Sequence, residues 1–341
     1  MSRIAVIGAG AWGTAISIVL GRTAKHEVKL WAYETEVRDS IQSARMNSLF
    51  LPGQRIPDGV HSTGDFAEAL NGAEIVVSAM PSQHCRQLFE QMAPHLHSNP
   101  LVASATKGLE QTTLLRMSEV ICQVANDRKI QCRVGAISGP TFAAEVARGD
   151  PTAITVASKD SELAKVIQRA FSDPTFRVYT NDDVVGVELG GSLKNIIAIA
   201  AGVCHGLNLG HNSVAALITR GLAEITRLAV ACGGRPETLS GLAGLGDLVL
   251  TCTGDLSRNR SVGVELGRGR KLPEIVAGMH GMVAEGIFTT NAAMQLAKAG
   301  GVEMPITEQM YAVLNEGKSP RDAIQSLMTR TSKPETESTS I

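Results

Sequence analysis

The sequence predicts a doubly wound α/β domain followed by an all-helical domain. Short β-branched runs alternate with amphipathic helical segments up to about residue 183. This alternation favours crossover units and a mostly parallel sheet with helices on both faces. Beyond that point the strand-like runs stop, and Ala, Gly and Leu recur at helical spacing. With 341 residues, the chain is long enough for two domains of about 150 residues each.

The elements of the first domain follow one another in a regular order. Ile4–Ile7 is a strand-like run, Trp12–Thr23 has helical spacing, and Glu27–Trp31 again resembles a strand. Further strands are predicted at Ile75–Ala79, Leu101–Ala105, Val134–Ile137 and Ile154–Ala157. We therefore expect an α/β domain over residues 1–183 and an all-α domain over residues 184–331. Residues 332–341 are polar and poor in apolar side chains, which predicts a frayed tail.

Composition and charge restrict the classes of partner. A net charge of −1, without any long basic run, argues against a nucleic-acid partner. The six cysteines form no CxxC pair, so the sequence favours reduced thiols and no metal site. No signal peptide precedes the first strand, and Glu188 and Lys194 interrupt the most apolar stretch. We expect a cytoplasmic protein without membrane insertion, and the apolar helices of the second domain favour a homodimer.

A glycine motif follows the first strand. Gly8, Gly10 and Gly13 form a GxGxxG pattern between the strand Ile4–Ile7 and the start of a helix. Gly8 would allow the tight turn, Gly10 would let the backbone approach a pyrophosphate, and Gly13 would let the helix pack closely on the strand. The N–H groups of the helix N-terminus would face the phosphates. In this strand–turn–helix context the motif predicts a Rossmann-like domain that binds a dinucleotide.

The end of the second strand offers two opposite indications of which dinucleotide binds. Glu34 could accept hydrogen bonds from the ribose hydroxyls, whereas Arg38 could pair with a 2′-phosphate. Both could equally be solvated charges on the next helix. The cofactor is therefore predicted as NAD or NADP, without a choice between them.

Lys194 is a lone cation within the apolar, glycine-bearing run Val184–Val203. Burying an ammonium group costs several kcal/mol unless a partner binds it or its pKa falls. On a helix its same-face neighbours include Gly190 and Gly191, so we expect open space beside the amine for another molecule. A desolvated lysine beside open space is suited to proton transfer at neutral pH. The alternative is a lysine that reaches the surface from a packed helix.

Four other polar groups lie in glycine-lined settings. Lys107 follows the strand Leu101–Ala105, near the strand ends where doubly wound sheets bind ligands, although it could be merely solvated. The segment Ser138–Thr141 could border a substrate or form an ordinary turn. Asp247 lies in the apolar run Gly241–Leu250, where it could pair with Lys194 or act as a helix N-cap. Ser257–Arg260 (SRNR) opens a helix and could bind a phosphate or be a solvated run.

Together these segments resemble those of a known protein family. From Ile4 to about Leu327 it closely resembles the bacterial-type NAD(P)-dependent sn-glycerol-3-phosphate dehydrogenases. The matching segments, in chain order, are GAGAWGTA (8–15), ATKGLE (105–110), ISGPTFAAEV (137–146), LGGSLKNIIAIAAG (189–202), LITRGLAE (217–224), GLGDLVLTC (244–252), SRNR (257–260) and VAEG (283–286). Several segments in one order are far more specific than the glycine motif, which unrelated dehydrogenases share.

The resemblance implies a role for each matching residue. Lys194 is implied as the proton donor and acceptor, with Lys107 and Asp247 beside it in the catalytic centre. The implied substrate contacts are Lys107, Gly139, Thr141, Lys194, Asn195, Asp247, Ser257, Arg258 and Asn259. The implied cofactor contacts are Gly8, Gly10, Ala11, Trp12, Gly13, Tyr33, Lys107, Ala143, Arg258, Val283 and Glu285.

Two positions depart from the family pattern, and both concern the cofactor. Family members often carry Ser at the position of Ala11, so this chain offers one hydroxyl fewer to the phosphates. Tyr33 stands where a basic or histidine side chain is frequent, which leaves the choice of nucleotide open.

The resemblance implies reversible hydride transfer between a nicotinamide and the three-carbon phosphate, with a supply role in phospholipid synthesis. The small phosphorylated substrate would be dihydroxyacetone phosphate or sn-glycerol 3-phosphate. An enzyme alternative is a hydroxy-acid dehydrogenase, in which Lys107 or Arg258 would clamp a carboxylate. An alternative of another class is a nucleotide-sensing protein without catalysis, but it would leave Lys194 unexplained.

Overall fold

The architecture is described from a computed structural model that covers residues 2–279 and 282–335. The strands are β1 (Ser2–Ile7), β2 (His26–Trp31), β3 (Met46–Asn47), β4 (Leu51–Arg55), β5 (Val60–Thr63), β6 (Ile75–Ser78), β7 (Leu101–Ser104), β8 (Arg133–Ser138), β9 (Thr152–Ala157) and β10 (Phe176–Asn181). The predicted tail lies mostly outside the described residues, which end at residue 335.

Helices separate most strands and make up the chain beyond residue 183. They are α1 (Ala11–Arg22), α2 (Thr35–Ala44), α3 (Phe66–Leu70), α4 (Cys85–Met92), α5 (Met117–Asp127), α6 (Ala143–Arg148), α7 (Ser161–Phe171), α8 (Val184–Gly206), α9 (His211–Ala231), α10 (Pro236–Leu239), α11 (Asp247–Thr253), α12 (Arg258–Gly267), α13 (Leu272–Ala277), α14 (Glu285–Gly300), α15 (Pro305–Asn315) and α16 (Pro320–Met328).

One sheet of eight strands forms the N-terminal part, in the order β10-β9-β8-β7-β6-β1-β2-β5. Its pairs are parallel except β8 with β9, so β9 and β10 run opposite to the other six strands. Side chains of β1 alternate between two apolar clusters, with Ile4 and Val6 in one and Ala5 and Ile7 in the other. Since both faces are buried, helices cover both, as a doubly wound α/β fold requires.

The sequence missed three features of this part of the chain. β5 and β10 extend the two edges of the sheet, and β3 pairs with β4 in a separate antiparallel hairpin. Edge strands are short of apolar residues because one side of each is exposed, so their hydrophobic signal is weak. The predicted doubly wound fold is confirmed.

Helix α8 is the centre of the second, helical cluster. Leu193, Ile196, Ile197 and Ile199 are buried in it, and α9, α11, α12 and α14 surround α8. By length and composition α8 could cross a membrane, but 89% of its apolar window is buried inside the protein. The helix is therefore the hydrophobic core of an all-α region, as the sequence predicted. It is also the element that carries Lys194.

Candidate active site

The glycine turn between β1 and α1 has the geometry that the motif predicts. Gly8 has φ +111°, and a Cβ there would lie 2.8 Å from the Ala79 carbonyl oxygen. A Cβ on Gly13 would lie 1.8 Å from the Gly8 carbonyl oxygen, so only glycine lets α1 approach β1 this closely. Nothing lies within 4 Å of a Cβ built on Gly10. The turn therefore leaves a cradle at Gly10 that the smallest side chain would partly fill.

The N-terminus of α1 opens onto the same cradle. Gly10 is the N-cap residue of α1 and supplies no side-chain cap, and the first hydrogen bond along the helix runs from Thr14 N–H to the Gly10 carbonyl at 3.0 Å. The earlier N–H groups, including those of Ala11 and Trp12, are free of the helical ladder. Free N–H groups and the positive end of the helix dipole suit an anion. The residues present therefore fit the pyrophosphate of a dinucleotide.

Of the two candidate nucleotide-selecting residues, Glu34 lies shortly after the carboxyl end of β2 and Arg38 lies within α2. Glu34 precedes α2 and its side chain makes no capping bond. Arg38 donates to the backbone carbonyls of Ala32 at 2.7 Å and Tyr33 at 2.8 Å, and to Thr35 Oγ1 at 2.7 Å. The Tyr33 side chain is 77% exposed. The Arg38 side chain is thus held in place by hydrogen bonds and is not freely solvated.

A buried charge cluster joins the two parts of the chain. Lys194 on α8 donates to Asp247 Oδ1 at 2.7 Å, and Lys107, after β7, donates to Asp247 Oδ2 at 2.7 Å. Asp247 is 1% exposed and Lys194 is 7% exposed. Lys194 also contacts Thr251 Oγ1 at 2.6 Å, and Lys107 reaches the Gly139 carbonyl at 3.3 Å. Two ammonium groups share one carboxylate, so the cluster has one net positive charge and suits an anionic ligand.

The surroundings of Lys194 in the cluster lower its pKa. Burial disfavours the ammonium form and lowers the pKa of Lys194 to about 8, although Asp247 acts in the opposite direction. The positive charge of Lys107 contributes to the lowering. A lysine with a pKa near neutrality can both give and take a proton at physiological pH.

One expectation about Lys194 is wrong in its geometry. The space beside Gly190 and Gly191 is filled by the protein: a Cβ on Gly190 would lie 2.7 Å from the Ala243 carbonyl oxygen. A Cβ on Gly191 would lie 2.4 Å from Ser138 Oγ. These glycines therefore let α8 pack against β8 and the turn Leu242–Gly246, and they do not open a path to the amine.

A second set of polar side chains lies beside Asn195, the residue after Lys194 on α8. Asn259 Nδ2 donates to Asn195 Oδ1 at 3.0 Å, and the Gly286 N–H donates to Asn259 Oδ1 at 2.9 Å. Glu285, at the start of α14, accepts hydrogen bonds from Ser82 Oγ at 2.7 Å and Gln83 Nε2 at 2.9 Å. Because Ser82 and Gln83 follow β6, Glu285 ties the helical part to the sheet beside the site.

The residues of the SRNR segment (257–260) have different roles. Ser257 caps α12, accepting from the Arg260 N–H at 3.2 Å, and Arg260 pairs with Asp255 at 2.9 Å. Arg258 is exposed, and within residues 2–279 and 282–335 it has no carboxylate in salt-bridge contact. It is the first residue of α12, so an unpaired guanidinium stands at a helix N-terminus. That combination suits a phosphate.

The remaining predicted residues lie at element ends around the cluster. Gly139 follows β8 with φ +148°, and Thr141 Oγ1 donates to its carbonyl oxygen at 3.1 Å. Ala143 begins α6, and Val283 lies just before α14. Among the described residues, no group of three or more His, Cys, Asp or Glu side chains could hold a metal ion.

Sequence reasoning missed three residues at the site. Thr251 lies one helical turn after Asp247, and this spacing could have found it. Ser192 Oγ accepts the Gly108 N–H at 2.9 Å and so fixes the turn that carries Lys107 to α8. Asn47 contacts the glycine turn. For Ser192 and Asn47 no local signal exists, because their partners are distant in sequence.

Comparison with known proteins agrees with this geometry. The family model described as NAD-dependent glycerol-3-phosphate dehydrogenase N-terminus matches residues 3–164, and the corresponding C-terminus model matches residues 183–325. A glycerol-3-phosphate dehydrogenase [NAD(P)+] of Koribacter versatilis is 68% identical over 335 residues, which are 98% of this chain and 99% of the relative. One from Acidobacterium capsulatum is 58% identical over 98% of this chain and 100% of its own length.

Solved structures show the same relationship. The crystal structure of glycerol-3-phosphate dehydrogenase from Coxiella burnetii superposes with a TM-score of 0.91 at 41% identity, over 96% of this chain and 99% of that one. A D-mandelate dehydrogenase with NADH, at 12% identity and a TM-score of 0.62 over 94% of this chain and 99% of that one, shares the fold alone. This chain belongs to the NAD-dependent glycerol-3-phosphate dehydrogenase family.

Proposed function

We propose that this protein is an NAD(P)-dependent oxidoreductase that interconverts dihydroxyacetone phosphate and sn-glycerol 3-phosphate. The observation that carries the proposal is the buried cluster in which Asp247 bridges Lys194 and Lys107, each at 2.7 Å. The cluster supplies a tuned proton donor and a net positive charge. The glycine turn supplies a dinucleotide cradle, and the names of relatives up to 68% identical support the substrate.

Lys194 carries out the proton transfer of the reaction. When bound, the nicotinamide would supply the hydride for C2 of the ketone, or accept it in the reverse direction. Lys194 Nζ protonates the alkoxide oxygen that forms at C2, and the neutral amine takes the proton back during oxidation. Positioned proton transfer of this kind contributes about 10²–10⁴-fold to rate. Asp247 and Thr251 hold the amine in place.

The substrate phosphate binds at the N-terminus of α12. Arg258 and the Ser257 hydroxyl face it there, and Lys107 adds a second cation from the sheet. Asn195 and Asn259 position the hydroxyl groups, with Gly139 and Thr141 lining the pocket. Binding energy at the phosphate orients the carbonyl carbon toward the nicotinamide, which raises turnover as well as affinity.

Residues from both parts of the chain would hold the cofactor. Residues 1–183 form the dinucleotide-binding domain, with Gly8, Gly10, Ala11, Trp12 and Gly13 at the pyrophosphate. Residues 184–331 form the catalytic domain. Tyr33 borders the adenosine side, and the other cofactor contacts are Lys107, Ala143, Arg258, Val283 and Glu285. The protein acts as a cytoplasmic homodimer that supplies glycerol phosphate for phospholipid synthesis.

The test is the loss of reduced-nicotinamide absorbance when dihydroxyacetone phosphate is added to purified protein with NADH and, separately, with NADPH. We expect oxidation, and the ratio of the two rates gives the nucleotide preference. A folded, cofactor-bound protein that oxidises neither would refute the proposal. Turnover of a 2-keto acid instead would favour a hydroxy-acid dehydrogenase, and tight cofactor binding without any turnover would favour a sensor.

A further inference from the structure

Asn47 is a fully buried amide in the hairpin of β3 and β4, at 0% exposure. Its Nδ2 donates to the Ala9 carbonyl oxygen at 2.7 Å and to Thr14 Oγ1 at 2.8 Å. Its Oδ1 accepts the Phe50 N–H at 3.0 Å. A backbone N–H can only donate and a carbonyl oxygen can only accept, so these partners fix which end of the amide points to the glycine turn.

The carbonyl of Ala9 belongs to the peptide that joins Ala9 to Gly10, at the middle of the glycine turn. In a trans peptide the C=O and N–H point in opposite directions. Holding the Ala9 oxygen on Asn47 therefore turns the Gly10 N–H away from the hairpin. Across residues 2–279 and 282–335, that N–H has no hydrogen-bond partner. It is a free donor beside the cradle in which nothing lies within 4 Å of a Gly10 Cβ.

We propose that Asn47 is a positioning residue that holds the Ala9–Gly10 peptide so that the Gly10 N–H faces the cofactor pyrophosphate. Asn47 does not contact the cofactor. It opposes a rotation of the Ala9–Gly10 peptide that the glycines on either side of Ala9, which lack a Cβ, permit. Thr14 Oγ1 donates to the same Ala9 oxygen at a longer 3.3 Å, and Asn47 binds that hydroxyl as well. A pre-oriented donor binds more tightly because less order is lost on binding. The proposal rests on the proposed dinucleotide cofactor.

A purely structural role is the competing explanation. In that case Asn47 would only fasten the hairpin to α1 through Thr14, and its loss would lower stability without altering affinity in the folded protein. The two explanations differ in one measurable quantity. Only the positioning role changes the dissociation constant of ligands that contain the pyrophosphate.

The test compares N47A and N47D with the wild type and a control, S40A. Ser40 Oγ donates to the Met46 carbonyl at 2.8 Å, so S40A weakens the same hairpin without touching the glycine turn. N47D keeps the acceptor for the Phe50 N–H but sets a carboxylate oxygen against the Ala9 carbonyl. The dissociation constants of NADH and ADP-ribose are measured by fluorescence titration and calorimetry, with adenosine as a probe that lacks the pyrophosphate. Kinetic constants for dihydroxyacetone phosphate are measured at saturating NADH.

We expect N47A to raise the dissociation constants of NADH and ADP-ribose together, by about tenfold. N47D should raise both further, whereas the constant for adenosine and the KM for dihydroxyacetone phosphate should stay within about twofold. S40A should behave as the wild type. If N47A does not fold, N47D, which keeps the side-chain volume, makes the same comparison.

Unchanged NADH affinity in folded N47A would overturn the positioning role, as would equal losses in N47A and S40A. A loss of adenosine affinity equal to that of ADP-ribose would also overturn it. These results leave the proposed reaction intact, because the wild type still oxidises NADH. A wild type that binds neither NADH nor NADPH would instead overturn the cofactor assignment and this inference with it.

Discussion

Replacing Asp247 by Asn should remove the charge that keeps Lys194 protonated. Each lysine amine lies 2.7 Å from a carboxylate oxygen of Asp247. Opposite charges about 4 Å apart at an effective dielectric constant of about 20 attract by about 4 kcal/mol, which corresponds to about three pKa units. Relaxation and water entry would reduce this shift. The pKa of Lys194, about 8 in the intact cluster, should therefore fall well below 7 in D247N.

At pH 7.5, Lys194 is then protonated in most wild-type molecules but in only a small minority of D247N molecules. For a fall of between about one and a half and three pKa units, kcat for reduction should drop between about tenfold and a few hundredfold. Oxidation at alkaline pH should lose less, because it uses the neutral amine. The assay is steady-state kinetics in both directions as a function of pH.

D255N is the matched control for D247N. Asp255 is an exposed carboxylate that pairs with Arg260 at 2.9 Å, and its removal should change neither rate. A D247N enzyme with reduction kinetics like those of the wild type would show that Asp247 does not keep Lys194 protonated. A loss of the same size at every pH would also refute that role, since it would indicate misplacement of the amine and not a shift in its pKa.

In the wild type, kcat/KM for reduction should fall as pH rises through about 8, because Lys194 must be protonated, and kcat/KM for oxidation should rise over the same range. Ala at Gly10 should leave the thermal midpoint nearly unchanged but weaken NADH binding about tenfold or more, whereas Ala at Gly13 should destabilise the fold, since its Cβ would lie 1.8 Å from a carbonyl oxygen. E224A should lower the free energy of unfolding by about 2 kcal/mol or more without changing KM, because the buried Glu224 carboxylate caps α15; urea denaturation measures this, and E224Q should lose less. Substitution of Arg258 by Ala should raise KM for dihydroxyacetone phosphate but hardly affect turnover of unphosphorylated dihydroxyacetone, and equal losses on both would count against a phosphate contact.

The parts of the site that the sequence could predict are those with a local cause. The glycine turn is one, because Gly8 and Gly13 are each required by contacts a few residues away. The pairing of Lys194 with Asp247 is another, since a lone cation in one apolar segment and a lone acid in another each need a partner. The open space expected beside Gly191 was wrong, because glycine also marks close packing between elements, and the sequence does not distinguish the two.

What the sequence could not predict depends on contacts between distant segments. Asn47 lies in a hairpin whose strands are too short to give a period, and it contacts Ala9 across the fold. Likewise, Glu285 binds the Ser82 hydroxyl at 2.7 Å only because the helical part folds back over the end of β6. Most of the fold could be predicted because the strand runs of a buried parallel sheet are almost continuously apolar. The polar edge strands β5 and β10 lacked that signal.

Turnover of Lys194→Met, with NADH affinity determined on the same sample, separates proton donation by Lys194 from a purely structural role. Methionine keeps most of the volume of the buried side chain, and Asp247 keeps Lys107 as a partner at 2.7 Å. We expect a fall in kcat of about 10²–10⁴-fold with the NADH dissociation constant nearly unchanged. Turnover close to that of the wild type would contradict the assignment of Lys194 as the proton donor.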